Sequence, residues 1–379
     1  MRDFNLPRQE LESLQLKRLR RTVSLAYDRV PYYHDLMRSL GKAPSDIQSV
    51  GDLGVFPLLS RKDVVENKAR LVSEAAPARY RRPGSGTSGQ TVTLAYDAPF
   101  KDITLALQAR HLTHFGIRPW KRLVSVRSPR RYWRMESEGK NKGRAYTWAD
   151  ELGLFARLGR ISTRFIPLQA AQNDSARDLR ELLKLKPDFV MCPPSHLMRM
   201  REHLPEGKVG AVVEGMNLIN EAFTSVTAKR IEEAYGGKAF NSLGSNELGV
   251  AGADCALQAG MHLNEDWMLF EVLRKGEPVG EGEQGELVAT VFSNDTMPLV
   301  RYATGDTVEL ADGGVCECGS SMLRIKRVLG RKDDWLKGAA GALIPPLDAA
   351  EDIEANTSAQ YNLTFALISL RWAWVSCAS

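Results

Sequence analysis

An α/β fold is predicted by two textures in the chain and by the change between them. From Leu179 to Tyr235, strand-like apolar runs alternate with amphipathic helical ones. The order is a helix from Leu179, a strand over 188–191, a helix over 195–203, a strand over 211–213 and a helix over 224–235. Strands that alternate with helices this way pair in parallel, because each return to the sheet needs a crossover. From about residue 260 strands dominate, over 267–273, 285–290 and 307–310. Short glycine turns separate them, as in a small antiparallel barrel or sandwich.

The N-terminal part reads as helices. Apolar residues recur at three and four spacing from Leu11 to Leu40, with a break at Val30-Pro31. Ser60 followed by Asp63 is a helix start, the hydroxyl and the carboxylate each reaching a backbone N–H of the first turn. Lys101 to Phe115 predicts another helix, and residues 123–126 a short buried strand. The run Lys17-Arg18-Leu19-Arg20-Arg21 reads as the solvated face of an amphipathic helix rather than a nucleic-acid patch. The basic and aromatic residues of 127–150, Arg130 to Arg134 with Tyr146 and Trp148, accompany no RNA-binding signature and read as a loop near a substrate mouth.

Composition excludes several classes. With 379 residues, 43% hydrophobic and 26% charged, the chain is long enough for more than one domain and too apolar to be disordered. A net charge of +5 suits an anionic small molecule. Five cysteines make no disulfide framework, so a reducing cytoplasm is expected. The N-terminus has no apolar leader, and the longest late apolar run, Leu363 to Leu370, is far too short to span a membrane.

The stretch with the clearest chemistry is Gly84-Ser85-Gly86-Thr87-Ser88-Gly89. Its glycines let backbone N–H groups converge and its hydroxyls add donors, which suits phosphate oxygens. It is not a P-loop. The lysine position is Gln90, and a strand pattern follows where a P-loop needs a helix. Gly280-Glu281-Gly282-Glu283-Gln284-Gly285 has dinucleotide spacing, but its glutamates would repel a pyrophosphate, so it reads as a hairpin turn.

Three further stretches follow in order: Asn241-Ser242-Leu243-Gly244-Ser245-Asn246-Glu247-Leu248-Gly249, then Met297 to Asp306, then Gly330-Arg331-Lys332-Asp333-Asp334. With these four motifs the chain resembles the adenylate-forming enzymes, and within them the phenylacetate–coenzyme A ligase group, over residues 1 to about 340. The resemblance implies an adenylating domain over 1–332 with α/β sheets, flanking helices and a small β-barrel-like subdomain at about 260–329. Residues 333–379 would be a hinge and a remnant of a C-terminal domain that is mostly missing. It implies a carboxylic acid, expected to be aromatic, reacting with ATP to an acyl-adenylate. Thioester formation with coenzyme A or a carrier thiol would follow.

By the resemblance Ser85, Gly86, Thr87, Ser88 and Gly89 hold the β and γ phosphates, Thr87 among the catalytic residues. Glu247 binds magnesium, Asp306 accepts from the ribose hydroxyls, Arg331 reaches ribose or phosphate and Asp333 is the hinge. Glu214, Gly215 and Met216 pack backbone against adenine, and Leu243, Gly244, Ser245 and Asn246 line the nucleotide. Leu243 and Asn246 stand where the family has tyrosine and threonine. Those departures keep a rival reading open, a catalytically impaired nucleotide-binding homologue that docks to a biosynthetic partner. Activation of an aryl acid for antibiotic biosynthesis, an acyl-carrier protein as acceptor and a homodimer are further expectations. Neither nucleic acid nor membrane is an expected partner.

Cys255, His262, Cys316 and Cys318 offer three thiolates and an imidazole, a set that suits tetrahedral zinc; reduced buried cysteines beside an unrelated histidine are the other reading. Some members of the resembled group are expected to bind zinc with such a set. His111 and His114 on one helix read as surface or core histidines, and Cys192 as a small buried hydrophobe. The residues after Asp333 are fewer than the usual domain of about 50 or more. They begin with Leu343-Ile344-Pro345-Pro346 in the manner of the family's C-terminal domain, contain no match for its catalytic lysine and suggest a truncated or frame-shifted ending.

Overall fold

A computed structural model describes residues 6–75, 80–83, 93–118, 120–127, 133–135, 145–146, 164–169, 174–337 and 343–356. The strands in chain order are β1 Tyr80–Pro83, β2 Thr93–Tyr96, β3 Arg122–Arg127, β4 Trp133–Met135, β5 Ala145–Tyr146, β6 Arg164–Gln169, β7 Phe189–Cys192, β8 Gly215–Leu218 and β9 Lys238–Ser245. They continue with β10 Gly249–Asp254, β11 Met261–Leu263, β12 Met268–Arg274, β13 Glu277–Pro278, β14 Gln284–Val291, β15 Tyr302–Leu310, β16 Arg324–Arg331, β17 Leu336–Lys337 and β18 Leu343–Ile344.

One twelve-stranded sheet organises the chain, in the order β13-β12-β14-β15-β16-β11-β10-β9-β8-β7-β3-β6. Its β6, β3, β7, β8 and β9 are parallel, as the alternating pattern requires. The rest pair antiparallel. The joint is β9, parallel to β8 along one edge and antiparallel to β10 along the other. The strands after residue 260, expected as a small barrel or sandwich, are therefore hydrogen-bonded edge to edge with the parallel half. The strand expected over 211–213 does not form. The pairing strand is β8, whose four residues are all buried. A four-stranded sheet, β2-β1-β4-β5, stands apart.

The helices follow their sequence signals. Arg8–Arg29 buries Leu11, Gln15, Leu19, Thr22, Val23 and Ala26, a single face at helical spacing. It ends at an extended Val30, and Pro31 opens the next helix, Pro31–Ser39. Of the basic run on that first helix, Lys17 is solvated as expected, but its neighbours are anchors. The Arg18 guanidinium lies 3.6 Å from the Trp267 ring centroid, Arg20 donates to the Ile47 carbonyl at 2.8 Å, and Arg21 pairs with Asp295. Helix Ala98–His114 starts on Asp97, which accepts from the Phe100 N–H at 2.8 Å. Among the described residues, no helix is long and apolar enough to cross a membrane.

The last described helix, Pro346–Asn356, docks on helix Ser225–Tyr235 through acidic side chains. Glu354, buried, accepts from Thr224 Oγ1 at 2.5 Å and Thr227 Oγ1 at 2.9 Å. Glu351 accepts from Ser225, and Asp348 pairs with Arg327 at 2.7 Å. The Glu351 and Glu354 carboxylates meet the N-terminus of helix Ser225–Tyr235, where unsatisfied N–H groups and the helix dipole favour negative charge. Replacing Glu354 by Ala strands two buried hydroxyls and is expected to lower unfolding stability by about 2–3 kcal/mol. Glu354→Gln, which keeps an acceptor, should cost less than half of that. Urea unfolding checks both, and equal losses would refute the acceptor role.

Candidate active site

The turn from β9 to β10 carries the first charged residue of the site. Leu243 is partly buried against the main core, and Gly244 pairs with Val250. A Cβ on Gly244 would sit 2.5 Å from the Gly249 carbonyl, so glycine is needed where the two strands close on each other. Ser245 Oγ accepts from the Leu248 N–H at 3.2 Å, which tightens the turn and leaves Glu247 buried at its tip. The Tyr96 hydroxyl donates to the Asn246 carbonyl, tying the end of β2 to this turn.

A second strand brings the partners. On β15 Asp306 sits in register with Arg331 of β16, and the guanidinium lies 3.6 Å from the carboxylate. The Asp306 N–H is bonded to Thr304 Oγ1 at 3.0 Å. Burial pushes the Asp306 carboxyl up to about 6; Arg331 opposes the rise and the Glu247 charge adds to it. Tyr302, buried at the start of β15, ties the two ends together. Burial raises its phenol well above the ordinary value, the Glu247 and Asp306 charges add to this, and Arg61 and Arg331 oppose it.

Arg61 comes from the N-terminal third. Residue Leu59 bridges in parallel to Tyr302, its N–H donating to the Arg301 carbonyl at 2.9 Å and its carbonyl accepting from Ala303 at 3.0 Å. Ser60 and Asp63 then form the expected capping box, which starts helix Arg61–Glu66 at that point. The Arg61 guanidinium comes to 3.9 Å from the Glu247 carboxylate. Neither Arg61 nor Tyr302 was assigned a role by sequence. The capping box beside a cation was the available signal for Arg61, but no spacing rule joins residue 61 to residue 247.

Thus Glu247, Asp306 and Arg331, from separate motifs, share one neighbourhood. The residues Ser85, Gly86, Thr87, Ser88 and Gly89 lie outside the described residues. Their flanks are antiparallel neighbours, Pro83 opposite Thr93, so a strand does follow the loop. Asp333 follows Arg331 in the short turn Lys332–Asp334.

Glu214, Gly215 and Met216 do not join the cluster. Gly215 is level with Lys238 at the start of β9, and Ser245 lies seven residues further on, about 23 Å at the rise of a strand. Met216 is fully buried in a core beneath helix Ser225–Tyr235, and the Glu214 carboxylate pairs with Lys121. Ligands of parallel sheets gather at the carboxyl ends of strands. On β8 that end leads to Asn220, with φ 69°, and Glu221, whose carboxylate accepts from Ser195 N at 3.0 Å and Oγ at 2.9 Å.

The second cluster is a set of four donors that could hold a metal ion. The ligand atoms of Cys255, His262, Cys316 and Cys318 all lie within 4.8 Å of one another, with Cys318 Sγ 3.4 Å from His262 Nε2. A tetrahedral zinc with thiolate bonds near 2.3 Å separates its sulfurs by about 3.8 Å, so the donors fit that ion. Burial pushes His262 down to about 4, leaving the neutral ring that ligates metals. The residues after His262 lock its strand. Asn264 meets Arg110 at 2.5 Å and His111 at 3.0 Å, Glu265 pairs with Arg8 at 3.0 Å, and Asp266 pairs with Arg110 at 2.7 Å. His111 is thus a core histidine, its pKa pushed down to about 3 by burial. Cys192 is fully buried and its thiol is raised by burial, as a small core residue should be.

No protein-family model matches the chain. The phenylacetate–coenzyme A ligase of Thermus thermophilus is 28% identical over 345 residues, covering 87% of this chain and 72% of that protein. The Escherichia coli enzyme of the same name is 28% identical over 342 residues, 86% and 72% of the two chains. Among solved structures, 2-hydroxyisobutyryl-CoA ligase in the postadenylation state superposes with a TM-score of 0.78 at 21% identity, over 93% of this chain and 74% of that one. An anthranilate CoA ligase with anthranoyl-AMP gives 0.52 at 15% identity, over 74% and 52%. The chain is similar in sequence to the phenylacetate–coenzyme A ligases and shares the fold of the solved coenzyme A ligases.

Proposed function

We propose that this protein activates a carboxylic acid, of aromatic type, with ATP to an acyl-adenylate and then forms a thioester with coenzyme A. The observation that carries the reading is the meeting of Glu247, Asp306 and Arg331, drawn from three distant motifs, around Tyr302. The similarity to phenylacetate–coenzyme A ligases supports the reaction class.

A carboxylate is a poor electrophile, and joining it to AMP supplies a leaving group. Attack at the α-phosphate needs alignment and charge neutralisation more than a protein nucleophile. Asp306, as a carboxylate, has lone pairs for two ribose hydroxyls, and Arg331 beside it holds that carboxylate and offers donors to the sugar or the phosphate. Glu247 would hold magnesium, a hard ion served by carboxylate oxygen, which would supply charge neutralisation at the phosphates. The loop 84–89 would donate to the β and γ phosphates. Zinc on Cys255, His262, Cys316 and Cys318 would be structural, because all four ligand positions are taken by protein.

Acid-dependent exchange of pyrophosphate into ATP, run over a panel of aryl and aliphatic acids, tests the reading. Exchange with an aryl acid, and thioester on adding coenzyme A, is the expected result. Nucleotide binding without exchange would support the rival binding protein instead.

A further inference from the structure

We infer that Arg324 is the charge partner of the proposed zinc site, offsetting its excess negative charge and donating an N–H to the Cys316 sulfur. The inference rests on the zinc reading above and adds a residue to it. Three thiolates and a neutral imidazole on a divalent ion leave one net negative charge in a mostly buried place. A buried charge without a counterion is costly, so a cation beside the ligands governs how firmly such a site holds its metal.

Three observations place Arg324 beside the ligands. It starts β16 in register with His262 of β11, and its side chain reaches both chain segments that supply donors. Its stem crosses the turn between Cys255 and His262. Gly260 there has φ 102°, and a Cβ on it would sit 3.2 Å from Arg324 Cγ and 2.7 Å from the Ile325 carbonyl. Its head holds the loop that carries Cys316 and Cys318. Nη2 donates to the Asp312 carbonyl at 2.9 Å, and the Arg324 carbonyl accepts from the Ala311 N–H at 3.0 Å. The second observation is that its charge acts on two of the four donors. Burial lowers His262 and the guanidinium adds to that. Burial raises the Cys316 thiol, but Cys318 and the Arg324 guanidinium outweigh it and hold the thiol below its ordinary value. The third is that Arg324 Nε is buried with no hydrogen-bond partner among the described residues. Such a donor costs free energy until an acceptor meets it. A metal-bound thiolate keeps lone pairs for N–H donors, and Cys316 is the ligand on which this guanidinium already acts.

The test loads the unaltered chain, Arg324→Gln and Arg324→Lys with zinc, and separately with cobalt(II) as a spectroscopic probe. Competition with a chelator reads the zinc affinity, and absorption reads the thiolate-to-cobalt charge-transfer band. Arg324→Gln is expected to weaken zinc at least about tenfold. Arg324→Lys, which keeps the charge but not the planar fork, should weaken it less than about threefold. In both variants the band should move to longer wavelength, because a sulfur that loses its N–H donor gives up electron density more readily. Equal weakening in the two variants would exclude charge as the cause. An unmoved band would leave only a structural hold on the loop, and zinc affinity unchanged in Arg324→Gln would mean no role. Each of these overturns the inference. Should Arg324→Gln not fold, the band of Arg324→Lys decides. If the unaltered chain takes up no zinc, the zinc reading fails and this inference with it.

Discussion

Glu247→Gln and Asp306→Ala will each reduce acid-dependent ATP–pyrophosphate exchange by at least a hundredfold. On the proposed reading Glu247 serves the metal and Asp306 the ribose, so their losses should differ in kind. Glu247→Gln keeps shape and removes the charge a hard cation needs; extra magnesium should restore little of it. Asp306→Ala removes the acceptor of two hydroxyls, so the loss should appear in the affinity for AMP as well as ATP. Exchange unchanged in both variants would refute the site.

Asp306 also carries a stability consequence with a definite sign. Its carboxyl is raised to about 6 by burial, so the folded chain keeps that proton over a range where the unfolded chain has lost it. The contribution favours folding below the unfolded value near 4 and is lost as the pH rises from about 4 to 6. At neutral pH the ionised group therefore weakens the fold, by at most about 3 kcal/mol. Asp306→Asn should raise Tm by roughly 1–3 °C at pH 7.5 while activity falls. In the unaltered chain, the KM for ATP should climb as the pH falls below 6, because the protonated group accepts less from ribose. A pH-independent KM between 5 and 7.5 would contradict this.

Removing zinc is the second large effect expected. The purified protein should carry about one zinc per chain, and a strong chelator should lower Tm by roughly 10 °C, on the scale of a structural site worth on the order of 10 kcal/mol. Cys316→Ser should mimic stripping. The effect should reach far, because Asn264, Glu265 and Asp266 next to His262 are the contacts that hold helix Ala98–His114 and the N-terminal helix. A protein free of metal, as purified and after reconstitution, with unchanged Tm would exclude the site.

Local rules accounted for much of the fold. The Val30-Pro31 break, the Ser60 capping box and the Asp97 cap rest on short-range sterics and hydrogen bonding. The strand expected over 211–213 failed for the same reason that short apolar runs are ambiguous. Val212 and Val213 pass as strand by composition, but only residues in register with β7 and β9 complete a ladder, and those are Gly215 to Leu218.

By itself the sequence determined which residues are charged, in what order and on which kind of element. The motifs that carry Glu247, Asp306 and Arg331, the clustering of Cys255, His262, Cys316 and Cys318, and the strand that follows the glycine loop were all legible from residue types, spacing and resemblance. Tertiary structure alone decided which of them meet. Glu214 to Met216 fell at the amino end of β8, roughly 20 Å of strand from the turn that bears Glu247. Arg61 reached that turn from the N-terminal third, because Leu59 pairs with a strand more than two hundred residues later. Such pairings depend on the register of distant strands, and register is set by how a whole sheet buries its faces, which no local pattern records.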